Sequence, residues 1–477
     1  MRFRTTLVLL LVLAGLGAYL YWWEMPRSEQ EAKAKRLYDF KPEDVTEVLL
    51  KYQDREVVLR KVGEHWRLIQ PVDAAADELT VKNLINAIAE CEVKRELEDT
   101  PSDLAPFGLD QPFVSVTVKL KDRELPAVAV GKNAPVGFST YVRKTDTGKV
   151  LLVSSSFRAG MDKQVKDLRD KAILNFADDD VQRLALVRPG ETITVARKED
   201  QWVIEQPASF RADAVTVRSL LSTLRTMRAV DFPTDQPADL GRYGLDQPRL
   251  KVVLFLGKDQ AEKQVWFGSE NPDKKTEIYV QTSAIPTVYA VSDWVWRDVN
   301  KTVSDLRDKT VLTFDKAKLS TIAVTRSDGT SFRVVRQDGD NWTVEGVEGK
   351  PATNTIRMWV DDVHDLRGYE IATDQPSKLE EFGLDAPLLR FEFFAGKDER
   401  LGEVRIGSVT NDQGSKEYFA QGSTSPTVFK VRDYVVTRLQ KQPQDFIEKP
   451  TPTPGGPTPT SNADGDEDEP LDEEALD

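Results

Sequence analysis

Three landmarks recur along this 477-residue chain with a common period, and this period constrains the fold more than any other feature. An aromatic residue followed by Gly-Leu-Asp-x-Pro places glycines at Gly108, Gly244 and Gly383, which lie 136 and 139 residues apart. A tryptophan recurs at spacings of 136 and 140, and a phenylalanine recurs at spacings of 136 and 138. Three landmarks with one period indicate a module that is present in three copies.

Each copy predicts the same α+β module of antiparallel strands with two helices. Short runs of alternating or continuous apolar residues, such as "EVVLRKV" at 56–62, predict strands. In the second copy Val217, Leu220, Leu221, Leu224 and Met227 fall on one face of a predicted helix. More strands follow the Gly-Leu-Asp turn, and a second helix closes the copy. The predicted modules span residues 38–175, 176–313 and 314–448.

The repeated turn has a structural explanation at each of its positions. Glycine accepts a positive φ just past a helix, and leucine and the aromatic residue can be buried. Aspartate can bond to the backbone two residues on, and proline favours extended geometry before it. A ligand site at the three aspartates is the alternative, but no second carboxylate or histidine recurs beside them. The residues assigned to this turn are Gly108, Leu109, Asp110, Pro112, Gly244, Leu245, Asp246, Pro248, Gly383, Leu384, Asp385 and Pro387.

These features together resemble the bacterial family of the domain of unknown function 4340. The resemblance rests on the aromatic turn after a helix, the strand tryptophan and "DLRDK" at 167–171 and 305–309, and it covers about residues 38–448. It implies a membrane-anchored envelope protein that is often associated with ABC-transporter systems, including those related to gliding-motility transporters. The family has no assigned catalytic residue, so none is transferred to this chain. The third copy departs from the pattern with "KQPQDFIEK".

The segment "DLRDK" ends the two copies that have another module after them. We therefore expect it to shape the junction to the next module rather than the core of its own module. Its charges of both signs could form pairs across that junction. A solvated helix end is the alternative, since exposed ion pairs contribute only about 0–1 kcal/mol. The residues assigned to the junction are Asp167, Arg169, Asp170, Asp305, Arg307 and Asp308.

The start of the chain predicts a membrane anchor. Residues 1–6 are basic, and residues 7–23 contain no charge and end in an aromatic cluster. Seventeen residues are about the shortest helix that spans a bilayer, and aromatic rings favour its interface. We expect an uncleaved signal anchor at 7–23, a cytoplasmic N-terminus at 1–6 and a linker at 24–37. The bulk of the chain then lies on the periplasmic side of the inner membrane, and a cleaved signal peptide is the alternative.

The end of the chain, residues 449–477, is rich in Pro and Thr and then acidic. Nine acidic and no basic residues lie between Asp464 and Asp477, so the rest of the chain carries only about −5 of the net charge of −14. This composition predicts a disordered tail, with docking to a basic partner as an alternative. A chain without clustered positive charge is not expected to bind nucleic acid.

The residues that commonly carry chemistry are scarce. The chain has one cysteine, Cys91, and two histidines, His65 and His364. Cys91 falls on the apolar face of a helix, and each histidine is expected at the surface. No phosphate-binding loop, zinc-protease motif, nucleophile elbow or dinucleotide motif occurs. We therefore expect no catalytic residue, no cofactor and no metal, and a protein that is not an enzyme.

Two functions fit these expectations. The first is a membrane-anchored, non-catalytic accessory or scaffold subunit of an ABC-type transport system, with permease and ATPase subunits as protein partners. The second is an extracytoplasmic binding module for cell-envelope polysaccharide or another ligand. An enzyme ranks behind both, because no acid–base group recurs.

Overall fold

The computed structural model describes Leu13 and the ranges 35–97, 101–396 and 398–448. The predicted anchor at 7–23, apart from Leu13, and the predicted tail at 449–477 lie outside the described residues. No helix within the described ranges is long and apolar enough to cross a membrane. Three successive antiparallel sheets with helices confirm the predicted tandem α+β modules.

The first module contains the strands β1 (Val45–Tyr52), β2 (Glu56–Val62), β3 (His65–Gln70), β4 (Ala74–Ala75), β5 (Val93–Glu96), β6 (Val114–Leu120), β7 (Val128–Asn133), β8 (Ser139–Lys144) and β9 (Val150–Ser154). Its helices are α1 (Glu78–Ala89), α2 (Ser155–Met161) and α3 (Val165–Leu168). The strands form one sheet in the order β4-β3-β2-β1-β6-β7-β8-β9-β5, and every neighbouring pair is antiparallel.

The second module repeats this order as β13-β12-β11-β10-β15-β16-β17-β18-β14. Its strands are β10 (Val181–Arg188), β11 (Glu191–Lys198), β12 (Gln201–Gln206), β13 (Phe210–Arg211), β14 (Asp231–Thr234), β15 (Leu250–Leu256), β16 (Ala261–Glu270), β17 (Glu277–Thr282) and β18 (Val288–Ser292). Its helices are α4 (Ala214–Thr226), α5 (Asp293–Val299) and α6 (Val303–Leu306).

The third module has eight strands in the order β21-β20-β19-β23-β24-β25-β26-β22. These are β19 (Leu319–Arg326), β20 (Ser331–Asp338), β21 (Asn341–Val344), β22 (Glu370–Thr373), β23 (Leu389–Ala395), β24 (Glu399–Thr410), β25 (Lys416–Gly422) and β26 (Val428–Val431). Its helices are α7 (Thr353–His364) and α8 (Asp433–Leu439).

The long helix of each module connects the two outer edges of the sheet. In the first module α1 follows the edge strand β4 and leads into β5, which pairs at the opposite edge. The Asp77 carboxylate begins α1 by accepting a hydrogen bond from the Thr80 backbone N–H at 2.8 Å. Val81, Leu84 and Ile88 are buried in one apolar cluster with residues of the central strands. The helix is therefore held on one face of the sheet, as its periodicity predicts.

The predicted closing helix is interrupted in the first two modules. In the first, α2 ends at Met161, whose carbonyl accepts a hydrogen bond from the Tyr52 hydroxyl at 2.6 Å. A new one-turn helix, α3, then starts from a capping box that is formed by Gln164 and Asp167. The prediction of two helices per copy was wrong for these two modules, because the closing helix ends at Met161 or Val299 and a separate one-turn helix follows it.

The chain divides between Leu306 and Arg307 into two compact units. The first unit contains the first two modules and the second unit contains the third. The second apolar core begins with Ile173 and Leu174, a few residues before the predicted boundary at 176. The third core begins with Val311 and Leu312, likewise ahead of 314.

Candidate functional site

The repeated turn occupies the same place in all three modules. Gly108, Gly244 and Gly383 have φ angles of 64°, 63° and 62°, in the left-handed region. Each ends a short 3₁₀ helix, so a side chain there would be strained. The aromatic residue before each glycine packs edge-on against a ring of the sheet, in the pairs Phe107–Tyr141, Tyr243–Tyr279 and Phe382–Phe419 at 4.9, 5.0 and 5.2 Å between ring centres.

A second glycine in each sheet faces the turn, and our sequence reasoning missed it. A Cβ atom built at Gly131, Gly268 or Gly407 would lie 2.3, 2.1 or 2.3 Å from a backbone oxygen of the turn. No side chain fits at that distance, so the pair of glycines lets the turn lie directly on the strand. A signal was present in the sequence, because "VGK", "FGS" and "IGS" recur 23 or 24 residues after the turn glycine.

The aspartates of the turn lie at the surface. Asp110, Asp246 and Asp385 are all exposed. The local backbone hydrogen bond that we expected from them is made by other residues in two copies. The Asp103 carboxylate accepts from the Ala105 N–H at 3.0 Å, and Asp239 accepts from the Gly241 N–H at 2.8 Å. Asp110 and Asp246 therefore do not form the turn. Their exposed positions fit a solvated surface residue and do not by themselves indicate a ligand site.

A buried ion pair between Arg169 and Asp235 lies at the joint between the first two modules. We call it, together with Phe232 and Thr287, the arginine clasp. Arg169 donates two hydrogen bonds to the Asp235 carboxylate, at 2.6 and 3.1 Å. The Thr287 hydroxyl donates to the same carboxylate at 3.1 Å. The guanidinium carbon lies 3.9 Å from the centre of the Phe232 ring, and Arg169 is only 6% exposed. Paired, stacked and buried, this arginine is fixed in one geometry.

The second compact unit begins with an equivalent arrangement. Arg307 donates to the two oxygens of Asp374 at 2.5 and 2.8 Å, and the Thr427 hydroxyl donates to Asp374 at 3.1 Å. The hydrogen bonds from Arg307 hold the pKa of Asp374 below its ordinary value. Sequence reasoning named both arginines but missed Asp235 and Asp374, although "TDQP" recurs at 234–237 and 373–376.

The aspartates of "DLRDK" act mostly within their own segment rather than across the joint. Asp167 accepts from the Gln164 N–H at 3.1 Å, and Asp305 accepts from the Thr302 N–H at 2.8 Å, so both cap one-turn helices. Asp170 accepts from the Ala172 N–H at 2.9 Å. Asp308 accepts in the same way from the N–H two residues on, at 3.0 Å. Two of the aspartates also pair outside the segment, since Arg228 lies 4.0 Å from Asp170 and Arg367 lies 3.5 Å from Asp308.

The third copy shows which part of the segment belongs to the joint. Its "QPQDF" forms the same capping box, between Gln442 and Asp445. Phe446 is fully buried in the third core, as Leu168 is in the first. Ile447 stands where Arg169 stands in the first copy. The segment therefore does contribute to the core of its own module, contrary to our expectation, and the arginine is the part of it that the third copy lacks.

The single cysteine and the two histidines lie in surroundings that suggest no reactive site. Cys91 lies in the first apolar core, and burial raises the pKa of its thiol to about 12. His65 is exposed, whereas the His364 side chain is only 18% exposed, because it packs edge-on against Phe314. The expected surface position of His364 was therefore wrong. Among the described residues, no three His, Cys, Asp or Glu side chains are grouped as a metal site would need.

A basic cavity of about 460 Å³ opens on the third module, and the sequence did not suggest it. Its centre is Glu403, which accepts hydrogen bonds from Arg390, Arg400 and Arg405. Burial alone would raise the pKa of Glu403, but these hydrogen bonds outweigh burial and lower it. Ser423 and the next residues form the rim. Glu392 also accepts from Arg400, at 3.0 Å, so three guanidinium groups and two carboxylates leave one excess positive charge and spare donors.

Comparisons with known proteins identify the repeated module. The model of DUF4340, a domain of unknown function, matches residues 66–205, 202–358 and 350–451. No curated protein matches this chain. A crystal structure of the DNA polymerase sliding clamp from Pseudomonas aeruginosa with ligand aligns over 84% of this chain and 96% of its own, with 8% identity and a TM-score of 0.13. A likeness at that TM-score carries no argument about this fold.

Proposed function

Because this chain belongs to the DUF4340 family, we propose that it is a membrane-anchored, non-catalytic accessory or scaffold subunit of an ABC-type transport system. The membrane anchor is the charge-free segment 7–23, and the three modules lie on the periplasmic side of the inner membrane. The association with permease and ATPase subunits is what the resemblance to the family implies.

The observation that carries a scaffold role is the use of the repeated residues. In the copies, glycines, aromatic rings and leucines build the turn, and aspartates cap helices. In the first unit a bidentate arginine, Arg169, joins the first copy to the second, and an equivalent bidentate pair, Arg307 with Asp374, lies within the second unit. A repeat whose shared glycines, aromatic rings and helix-capping aspartates stabilise the fold is suited to holding partners at fixed positions. Repetition of a reactive group would instead favour catalysis.

The joint of the first unit supports a rigid spacer. The arginine clasp is buried, and a backbone hydrogen bond of 2.8 Å from the Ala229 N–H to the Lys171 carbonyl lies beside it. Inter-domain surfaces of modest size usually permit motion unless specific contacts fix them. A clasp that fixes the first two modules would let a membrane-anchored chain present surfaces at a defined height above the bilayer.

Affinity purification of the full chain from its native membranes tests the proposal. The chain carries a C-terminal tag and is cross-linked before detergent extraction, and an unrelated tagged single-pass protein serves as the control. We expect permease and ATPase subunits to be enriched over the control. Recovery of the same proteins in both samples would contradict the transport assignment.

The basic cavity favours a second candidate function, which is binding of an acidic cell-envelope polysaccharide. Arginines bind carboxylates and phosphates through paired hydrogen bonds, and the hydroxyl rim suits sugar groups. Titration of the full chain with an oligoglucuronate tests this candidate. Arg405→Gln should weaken binding, while Arg333→Gln, which alters an exposed arginine on the same module, should not. Equal binding by both variants would remove the cavity from consideration.

A further inference from the structure

The loop between β7 and β8 in the first module carries two large apolar side chains into solvent. Val136 is 80% exposed and Phe138 is 88% exposed, which makes Phe138 the most exposed large apolar residue in the described part of the chain. Single exposed apolar residues are common, but an aromatic and a branched residue at one loop tip form a small apolar surface.

The backbone holds Phe138 in a strained conformation. Its φ of 43° lies in the left-handed region, which bulky residues rarely adopt. Its carbonyl accepts hydrogen bonds from the Ser155 N–H at 3.0 Å and from the Lys94 ammonium at 3.1 Å. The structure therefore fixes the backbone while the ring stays outside, and strain of this kind tends to occur where a residue has a function.

The fold itself does not require apolar residues at this tip. The equivalent loops of the other modules read "NPDKKT" at 271–276 and "NDQGSK" at 411–416. Both are polar, and both connect the same pair of strands in their modules. The apolar tip is thus a property of the first module, which is the module next to the predicted anchor.

The chain that arrives from the anchor runs beside this tip. The Val93 N–H donates to the Lys35 carbonyl at 2.8 Å, and the backbones of Arg36 and Glu92 form an isolated antiparallel β-bridge. Lys94, the next residue, reaches the Phe138 carbonyl. Eleven residues lie between Trp23 and Lys35, and a stretch of this length spans at most about 40 Å, so the tip lies within reach of the bilayer surface.

We infer that Val136 and Phe138 insert into the interfacial region of the membrane that holds the anchor, and this inference rests on the proposed anchoring. Aromatic and branched side chains are favourable at that depth, and the adjacent Lys94 ammonium can meet lipid phosphates. The insertion gives the first module a second attachment and so sets its orientation on the bilayer.

Site-specific fluorescence in lipid nanodiscs tests the inference. The full chain carries Cys91→Ala, and the polarity-sensitive dye NBD is attached at Val136→Cys, in nanodiscs of phosphatidylethanolamine and phosphatidylglycerol. Asp273→Cys and Asp412→Cys place the same dye on the equivalent loops as matched controls. We expect a blue shift and quenching by doxyl-labelled lipid at position 136 alone, and quenching by aqueous iodide at the two controls.

A second substitution removes the ring while it keeps the probe. Phe138→Ser in the Val136→Cys chain should return the dye to iodide quenching, because most of the apolar area is lost. Iodide quenching at 136 before that change would overturn the inference. A blue shift without doxyl quenching would overturn it as well, because the tip would then be covered by protein. Co-elution of the unlabelled chain with nanodiscs tests the anchor separately. If the chain co-elutes but the dye at position 136 is exposed to water, the anchor stands and the insertion of the tip is contradicted. If the chain does not co-elute, both the anchoring and the insertion are contradicted.

Discussion

At the scale of single residues, the glycines shared by the three modules are explained by close approach of two backbones rather than by chemical reactivity. The turn glycines and the glycines that face them let two backbones touch in all three modules. A positive φ alone explains only the turn glycine. The facing glycine is explained by contact, since its φ is ordinary while a Cβ there would meet a carbonyl oxygen.

Two glycines of the second module separate these effects. Gly244 and Gly257 have φ angles of 63° and 61°, but a Cβ at Gly244 would lie 2.9 Å from the Ser269 nitrogen, while Gly257 faces open space. We expect Gly257→Ala to lower the free energy of unfolding by about 1 kcal/mol, from backbone strain alone. Gly244→Ala should cost at least about 1 kcal/mol more. Urea unfolding followed by hydrogen exchange of α4 measures both, and equal costs would show that contact is unimportant.

The carboxyl of Asp374 makes the stability of the second unit depend on pH. Its pKa in the folded state is lowered from the ordinary 3.8 by the hydrogen bonds from Arg307. A carboxyl with a lowered pKa stabilises the fold above its unfolded value, and that stability is lost as pH falls through the folded value. As pH is lowered through about 4, we expect the urea concentration at the unfolding midpoint of the second unit to decrease. In the Asp374→Asn variant this midpoint should decrease less steeply with pH. Parallel curves for the two proteins would refute the assignment.

At the scale of elements, the segment "DLRDK" divides its work between two modules. Leu168 fills the core of its own module, Asp167 caps α3, and Arg169 reaches into the next module. The third copy keeps the cap and the core residue and lacks the arginine. The division explains why the third copy changes the segment only in part.

Removal of the clasp arginine should weaken the joint more than removal of an exposed neighbour. Arg169→Ala leaves the Asp235 carboxylate with the Thr287 hydroxyl but without its charged partner, and we expect a cost of about 1–3 kcal/mol in the free energy of unfolding of the first unit. Arg228→Ala is the control, because Arg228 crosses the same joint with only weak pairs at 3.9 and 4.0 Å and is 57% exposed. We expect it to cost under about 1 kcal/mol. Equal effects in denaturation experiments would count against the clasp.

Arg169→Lys distinguishes charge from geometry at the same site. Lysine keeps the positive charge but cannot donate two parallel hydrogen bonds or stack on the Phe232 ring as a guanidinium does. We expect it to recover less than half of the stability that Arg169→Ala loses. Full recovery in the same denaturation experiment would mean that the charge alone holds the joint.

At the scale of the whole molecule, the triplication and the α+β class could be predicted from the sequence, because the same residue types recur at one period. The joints were harder to foresee. Arg169 and Asp235 are 66 residues apart and belong to different copies, so no local pattern connects them. The end of the closing helix in the first module accepts a hydrogen bond from Tyr52, a residue from a distant strand. The basic cavity of the third module is lined by residues outside the three repeated landmarks, so a search for repeated residues passes over it.

Hydrogen exchange of the full chain in low urea tests the central claim, that the arginine clasp makes the first two modules one cooperative unit of a scaffold. The amides of α1 and α4 report the two modules separately. We expect α1 and α4 to open with the same free energy in the wild-type chain, and with different free energies once Arg169→Ala breaks the clasp. Independent opening of the two helices in the wild-type chain, unchanged by Arg169→Ala, would contradict it.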